Sequence, residues 1–139
     1  MTKIINSIVA ITYDKDKEYH FLILKKKGTW VGWQFVQGER EDEDWKNAVK
    51  REVKEETGLE CEDVIKIDVG ADYWFKWEGE LIHKFLHYYL AKVDKNATVK
   101  LSEEHSDYKW VDFETAHKEL KFNKEQFKKA FELLKEVNR

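Results

Sequence analysis

Proline is absent from the 139-residue chain, cysteine occurs once, at Cys61, and no apolar run approaches the length of a membrane span. A lone cysteine excludes an internal disulfide and cannot build a thiolate zinc site by itself. Its expected role is that of a small buried or half-buried side chain. A spanning helix needs roughly 20 consecutive apolar residues, and the opening stretch MTKIINSIVAITYDKDKEYH has too short a run. That stretch also lacks the small-residue cleavage site of a signal peptide, so it reads as a strand, and a cytoplasmic location with no membrane contact is expected. An excess of basic charge is missing too: 25 Lys and Arg against 28 Asp and Glu leave a net charge of -3. General nucleic-acid binding is therefore not the expected role. A phosphate-bearing small molecule stays compatible with that charge, provided metal ions offset the repulsion. Low-complexity tracts, repeats and linkers are absent, and the missing proline suggests no function.

With 42% hydrophobic and 14% aromatic residues, the chain suits a single domain, residues 1–139, around one core. Segments Ile4–Tyr13 and Tyr19–Leu24 are rich in Ile, Val and Leu and read as strands on either side of the charged turn DKDKE. A glycine-containing loop follows, with Gly28, Gly32 and Gly38. The pattern from about Glu43 to Thr57 is helical, and Gly58 suits its C-terminal cap. Asp63–Trp77 and Glu80–Val93 read as long strands joined by a tight turn at Glu78-Gly79. Tyr108–Val111 is a further short strand, and Lys124–Val137 an amphipathic helix. The order predicts a mixed α/β layered domain.

Trp45–Leu59, WKNAVKREVKEETGL, is the segment that points to chemistry. At about 100° per residue, Trp45, Ala48, Val49 and Val53 share one side and Lys46, Lys50 and Lys54 lie toward the other. Glu52, Glu55 and Glu56 do not follow this division: their spacing gathers three carboxylates in a cluster that overlaps the apolar side. Like charges one turn apart repel, partial burial disfavours ionisation, and the C-terminal end of a helix is the wrong end for acids. A divalent cation removes all three objections, and magnesium prefers oxygen ligands of this kind. The alternative is a solvated acidic face, since glutamate is also a good helix former.

Arg51 to Leu59, REVKEETGL, resembles the second half of the Nudix box, REUxEExGU with U aliphatic, at every specified position. Glu43 stands the required eight positions before Arg51. Gly38 precedes Glu43 by five positions instead of six, so the loop is one residue shorter than the family pattern. Phe35-Val36-Gln37 replaces the usual proline-containing element. The resemblance implies an α/β/α sandwich with a mixed sheet between helices and a Mg2+-dependent (or Mn2+-dependent) pyrophosphohydrolase. It implies Glu52, Glu55 and Glu56 as metal ligands with the Gly38 carbonyl as a further one. Arg51 would orient a box glutamate and Glu43 would support from the outer shell. A general base would come from the box or from Glu103 or Glu104.

For the substrate, a small-molecule nucleotide, two resemblances diverge. LSEEHSDYKWVDFETA is similar to small diadenosine tetraphosphate hydrolases of this superfamily, matching SxEHxxYxW at Ser102, Glu104, His105, Tyr108 and Trp110. WQFVQG, Trp33–Gly38, is more similar to enzymes acting on deoxynucleoside or dihydroneopterin triphosphates. Dinucleoside polyphosphates are the favoured reading and the triphosphates the alternative. Tyr73, Phe75 and Trp77 alternate along one strand face and could stack on a base, opposed by Phe122. Lys84 and one of Lys25–Lys27 could contact phosphate. His83, His87 and His105 lack metal-ligand spacing beyond a weak i, i+4 pair on a strand, so no zinc site is expected. A nucleotide-binding module without turnover, an RNA 5′-end pyrophosphohydrolase and an unrelated acidic domain are the competing readings. Either a monomer or a homodimer is compatible with the six tryptophans.

Overall fold

The computed structural model describes residues 2–28 and 30–137. The strands are β1 (Thr2–Lys15), β2 (Tyr19–Lys26), β3 (Gly32–Gln34), β4 (Val36–Glu39), β5 (Asp63–Trp77), β6 (Glu80–Lys92) and β7 (His105–Val111). Helix α1 spans Trp45–Thr57, α2 Phe113–Glu119 and α3 Lys124–Val137. Strands run in the order β3-β2-β1-β6-β5, with β4 on β1 and β7 on β2. The β1–β6 pairing is parallel and the others are antiparallel, so the sheet is mixed.

Alternation along the strands sends side chains to two cores, one on each face of the sheet. Ile8, Ala10, Leu22, Leu24 and Tyr89 pack against Ala48, Val49 and Val53 of α1. Val9, Ile11, Phe21, Ile23 and Tyr88 pack on the other face against Ala116 of α2 and Phe127, Ala130 and Leu134 of α3. The α/β/α sandwich is thus realised.

Helix α1 begins two residues later than the periodicity suggests. The Asp44 carboxylate caps it by accepting from the Asn47 N–H at 3.1 Å, which leaves Glu43 in the preceding loop. Gly58 ends it in the left-handed conformation at φ 76°, donating its N–H to the Lys54 carbonyl. Most strands outrun the sequence reading because backbone pairing continues through their charged ends: β1 keeps its partners from Thr2 to Lys15. Helix α2, with two turns and one buried residue, carries too little periodicity to be read.

What positions the site is the splaying of β1 from β2. They pair only at Tyr13–Lys15 with Tyr19–Phe21. Further along, β1 takes β4 at Ser7–Ala10 while β2 takes β3 at Leu24–Lys26. The chain crosses between β3 and β4 at the buried Phe35. The 94–104 loop is tied to the end of α1 by the Lys100 N–H to the Thr57 carbonyl (2.7 Å) and the Ser102 N–H to the Glu56 carbonyl (3.3 Å). It delivers the start of β7 to the glutamate helix.

Candidate active site

Helix α1 does not bury its three glutamates equally. Glu52 and Glu56 are buried, at 9% and 4% exposure, whereas the Glu55 side chain is 56% exposed. Glu52 closes against the strand through Gly38, where an added methyl carbon would stand 2.1 Å from the Glu52 Cδ. A side chain at position 38 would push the Glu52 carboxyl aside, so the glycine lets that carboxyl keep its place against the strand.

Arg51 organises the outer edge. Its Nε donates to Glu43 Oε2 at 2.9 Å and its Nη2 to Glu43 Oε1 at 3.0 Å, a two-pronged contact. Nη1 reaches Glu52 Oε1 at 2.9 Å and Glu55 Oε2 at 3.2 Å, and Nη2 also donates to the Glu39 carbonyl at 3.0 Å. Hydrogen bonding from Arg51 holds the Glu43 carboxyl below its usual range, and the same bonds raise the Arg51 guanidinium further above its own. One guanidinium therefore ties the β4 end, the pre-helix loop and two box glutamates together.

Glu56 lies deeper. Neither of its oxygens accepts a hydrogen bond among the described residues, and His105 Nε2 lies 3.5 Å from Oε1. Burial first, then Glu52 and Glu104, push its carboxyl up to about 9, and burial also raises Glu52. A buried carboxylate without partners is costly, and two such groups one turn apart next to Glu104 more so. Ligand atoms of Glu56, Glu104 and His105 come within 4.8 Å of one another. This set of two carboxylates and one imidazole, with an orphaned acid at its centre, fits a divalent cation. His105 itself is buried, at 4% exposure. Gln34 Nε2 lies 3.2 Å and Ser102 Oγ 3.4 Å from its ring nitrogens, and burial lowers its basicity.

Three adjoining cavities surround Gln37. The first, about 710 Å³, is the polar groove of Gly38, Arg51, Glu52, Glu55, Glu56 and Glu104. The second, about 540 Å³, is apolar and formed by Trp30, Trp33, Tyr73, Tyr88 and Phe122, with Asn123 and Gln126 at its polar end. The third, about 340 Å³, holds Ser7, Lys26, Phe75 and Lys84 and shares Gly38, Glu39 and Glu104 with the groove. Of the aromatic trio read from β5, Tyr73 and Phe75 reach different cavities, and Trp77, 65% exposed, lines none of the three. Phe122 meets Trp30 at 5.5 Å between ring centroids. Of the three consecutive lysines, Lys26 is the one in the cleft. Trp30, Asn123 and Gln126 carry no signal in the sequence, whereas Trp33, Gln34 and Gln37 belong to the WQFVQG segment, whose resemblance pointed to the substrate without naming them one by one.

A mixed sheet between helices, with a carboxylate-lined groove open to a nucleotide-sized cleft, is the frame of a metal-assisted phosphoanhydride hydrolase. The chain belongs to the NUDIX domain family, whose model matches residues 3–131. It is 29% identical over 131 residues, 86% of this chain and 80% of the relative, to the dihydroneopterin triphosphate diphosphatase of Haemophilus influenzae. An Ap4A hydrolase from C. elegans, solved as a binary complex, superposes with a TM-score of 0.76 at 26% identity, covering 94% of this chain and 97% of that one. The MutT protein of Methanosarcina mazei superposes with a TM-score of 0.63 at 26% identity, covering 99% and 97%. The protein is accordingly a Nudix hydrolase acting on phosphoanhydride bonds of nucleotide-derived compounds, a family that generally uses a divalent metal.

Proposed function

We propose that the protein is a magnesium-dependent hydrolase of dinucleoside polyphosphates such as diadenosine tetraphosphate. The observation that carries the reading is the three-part cleft: an aromatic cavity, a lysine-bearing cavity that shares Lys26, Gln34 and Gln37 with it, and the glutamate groove that meets both at Gln37. A dinucleoside polyphosphate has two ends and a long anionic middle, and such a cleft offers each a compartment. The similarity to the C. elegans Ap4A hydrolase supports the same choice.

In this reading Glu52, Glu55 and Glu56, with the Gly38 carbonyl, hold the cation. When bound, it neutralises phosphate oxygens and lowers the pKa of the attacking water. Arg51 keeps Glu52 and Glu55 aimed into the groove and is itself fixed by Glu43. Glu104 faces Glu56 across the groove and is placed to accept the proton released by the attacking water. Tyr73 and Phe122 flank a base in the aromatic cavity, while Lys84 and Lys26 meet the phosphate chain. Phe75 walls the compartment beside Lys84. Positioning and charge stabilisation supply the rate, so no nucleophilic side chain is required.

A second reading, cleavage of dihydroneopterin or deoxynucleoside triphosphates, is favoured by the WQFVQG segment and by the H. influenzae relative. Incubation with magnesium and a nucleotide panel, followed by ion-exchange separation of products, decides between them. ATP plus AMP from diadenosine tetraphosphate, lost in Glu56→Gln, is the expected result. Pyrophosphate released only from a triphosphate would establish the second reading, and no turnover with magnesium or manganese would defeat both.

A further inference from the structure

The end strand β5 leaves an open edge that carries exposed aromatics. Trp74 is 54% and Trp77 65% exposed, and no strand pairs with the outer side of β5 among the described residues. An unpaired edge of this kind is a template for pairing with another chain unless something covers it. The first residues of β5 are tied down, with Val64 and Ile67 buried in the two cores. A bulge between Lys66 and Gly70 then resets the strand, and Gly70–Trp77 runs regularly against β6.

Hairpin geometry fixes which backbone groups are free. The turn at Glu78-Gly79 has two residues, both at positive φ, so its flanking pair Trp77–Glu80 exchanges both backbone hydrogen bonds. Tyr73 and Phe75 therefore also face β6 with their backbone. The N–H and C=O groups of Asp72, Trp74 and Lys76 point to the open edge. Their side chains lie on the α1 face of the sheet, where Trp74 stacks on His83 at 3.8 Å between ring centroids and Asp72 meets His83 at 2.6 Å.

We propose that this edge pairs antiparallel with the same edge of a second copy of the chain, centred on Trp74. In that register Trp74 lies opposite Trp74 of the second copy, and Asp72 lies opposite Lys76 of the second copy twice by symmetry. These are the residues whose backbone groups are free, so each pair exchanges two hydrogen bonds. On the other face Tyr73 lies opposite Phe75, and the small Ala71 opposite the large Trp77. Neighbouring registers do worse. Centring on Phe75 sets Asp72 against Glu78, centring on Asp72 sets that carboxylate against its own copy, and centring on Tyr73 sets Asp72 against Trp74. Charge and hydrogen-bond phase thus select one register and one occupant. Pairing also brings Trp77 of the second copy beside Ala71, which lines the aromatic cavity with Tyr73. The tryptophan that reaches no cavity in its own chain is thereby given a place at the neighbouring one. This inference does not depend on the substrate proposed above.

Sedimentation velocity across a wide concentration range tests it on the full chain. The wild type is expected to form dimers, and Lys76→Asp to raise the dimer dissociation constant about 10-fold or more by opposing like charges twice. Adding Asp72→Lys to that variant restores opposite charges and is expected to bring the constant back toward the wild-type value. Trp74→Arg, at an exposed position that lines none of the three cavities, places two cations at the centre and is expected to give monomers. Circular dichroism on each variant checks that the fold is kept. A wild type that stays monomeric at the highest concentration, or a Lys76→Asp or Trp74→Arg protein that dimerises as the wild type does, overturns the proposal. So does a folded double variant that does not recover.

Discussion

Glu56→Gln is expected to make the metal-free protein more stable while removing its activity. The carboxyl of Glu56 titrates near 9 in the folded chain against an ordinary value of 4.5, mainly because it is buried. At pH 7 the folded protein keeps this proton and the unfolded chain releases it. With about 1.36 kcal/mol per pH unit over the interval from 4.5 to 7, the penalty is about 3 kcal/mol. A group with a raised folded pKa contributes its full stability below the unfolded pKa, and this is lost as pH rises toward the folded one. The advantage of glutamine over glutamate should therefore be near zero at pH 4.5, grow through pH 7 and level off near pH 9. For a chain of this size about 3 kcal/mol corresponds to a rise in Tm of roughly 10 °C. Thermal melts followed by circular dichroism in EDTA, at several pH values for both proteins, measure it. Magnesium should then raise the Tm of the wild type and leave Glu56→Gln unmoved. A variant that melts below the wild type in EDTA at pH 7, or a difference that does not change with pH, would refute the account of Glu56 as an orphaned acid awaiting a cation.

Arg51→Lys cannot reproduce the fork that joins Glu43 to Glu52 and Glu55. It should lower kcat roughly 10- to 100-fold, with about 2 kcal/mol lost in denaturant unfolding; unchanged kinetics would count against the orienting role. Gly38→Ala puts a carbon 2.1 Å from the Glu52 Cδ, so it should remove turnover and the magnesium-dependent rise in Tm together, as Glu52→Gln should. An alanine variant with normal turnover would show that Glu52 does not need that approach. Phe122→Ala opens the aromatic cavity at an exposed ring that does not line the glutamate groove. It should raise KM about 5- to 10-fold with kcat nearly unchanged, a contribution of about 1 kcal/mol from ring contact, and a fall in kcat at constant KM would contradict a binding role.

The glutamate helix was legible in the chain itself because its information is local. Spacing along α1 sets Glu52, Glu55 and Glu56 on adjoining positions of one cylinder, and Gly58 ends it by chemistry internal to the segment. The hairpin of β5 and β6 was legible for the same reason, since Glu78-Gly79 is a turn whatever surrounds it. Local spacing does not say how deep each acid lies. Glu55 is left at the rim, and Glu56 is buried beside His105 and Glu104, residues some 50 positions away, only because the 94–104 loop is hydrogen-bonded to the end of the helix. Likewise the three cavities around Gln37 arise because β1 and β2 splay apart and admit β3 and β4 between them. Residue types, motif and helix periodicity are properties of neighbours along the chain. Burial, the unpartnered carboxylate and the cleft are properties of segments that meet only when the sheet closes, and these the tertiary structure alone decided.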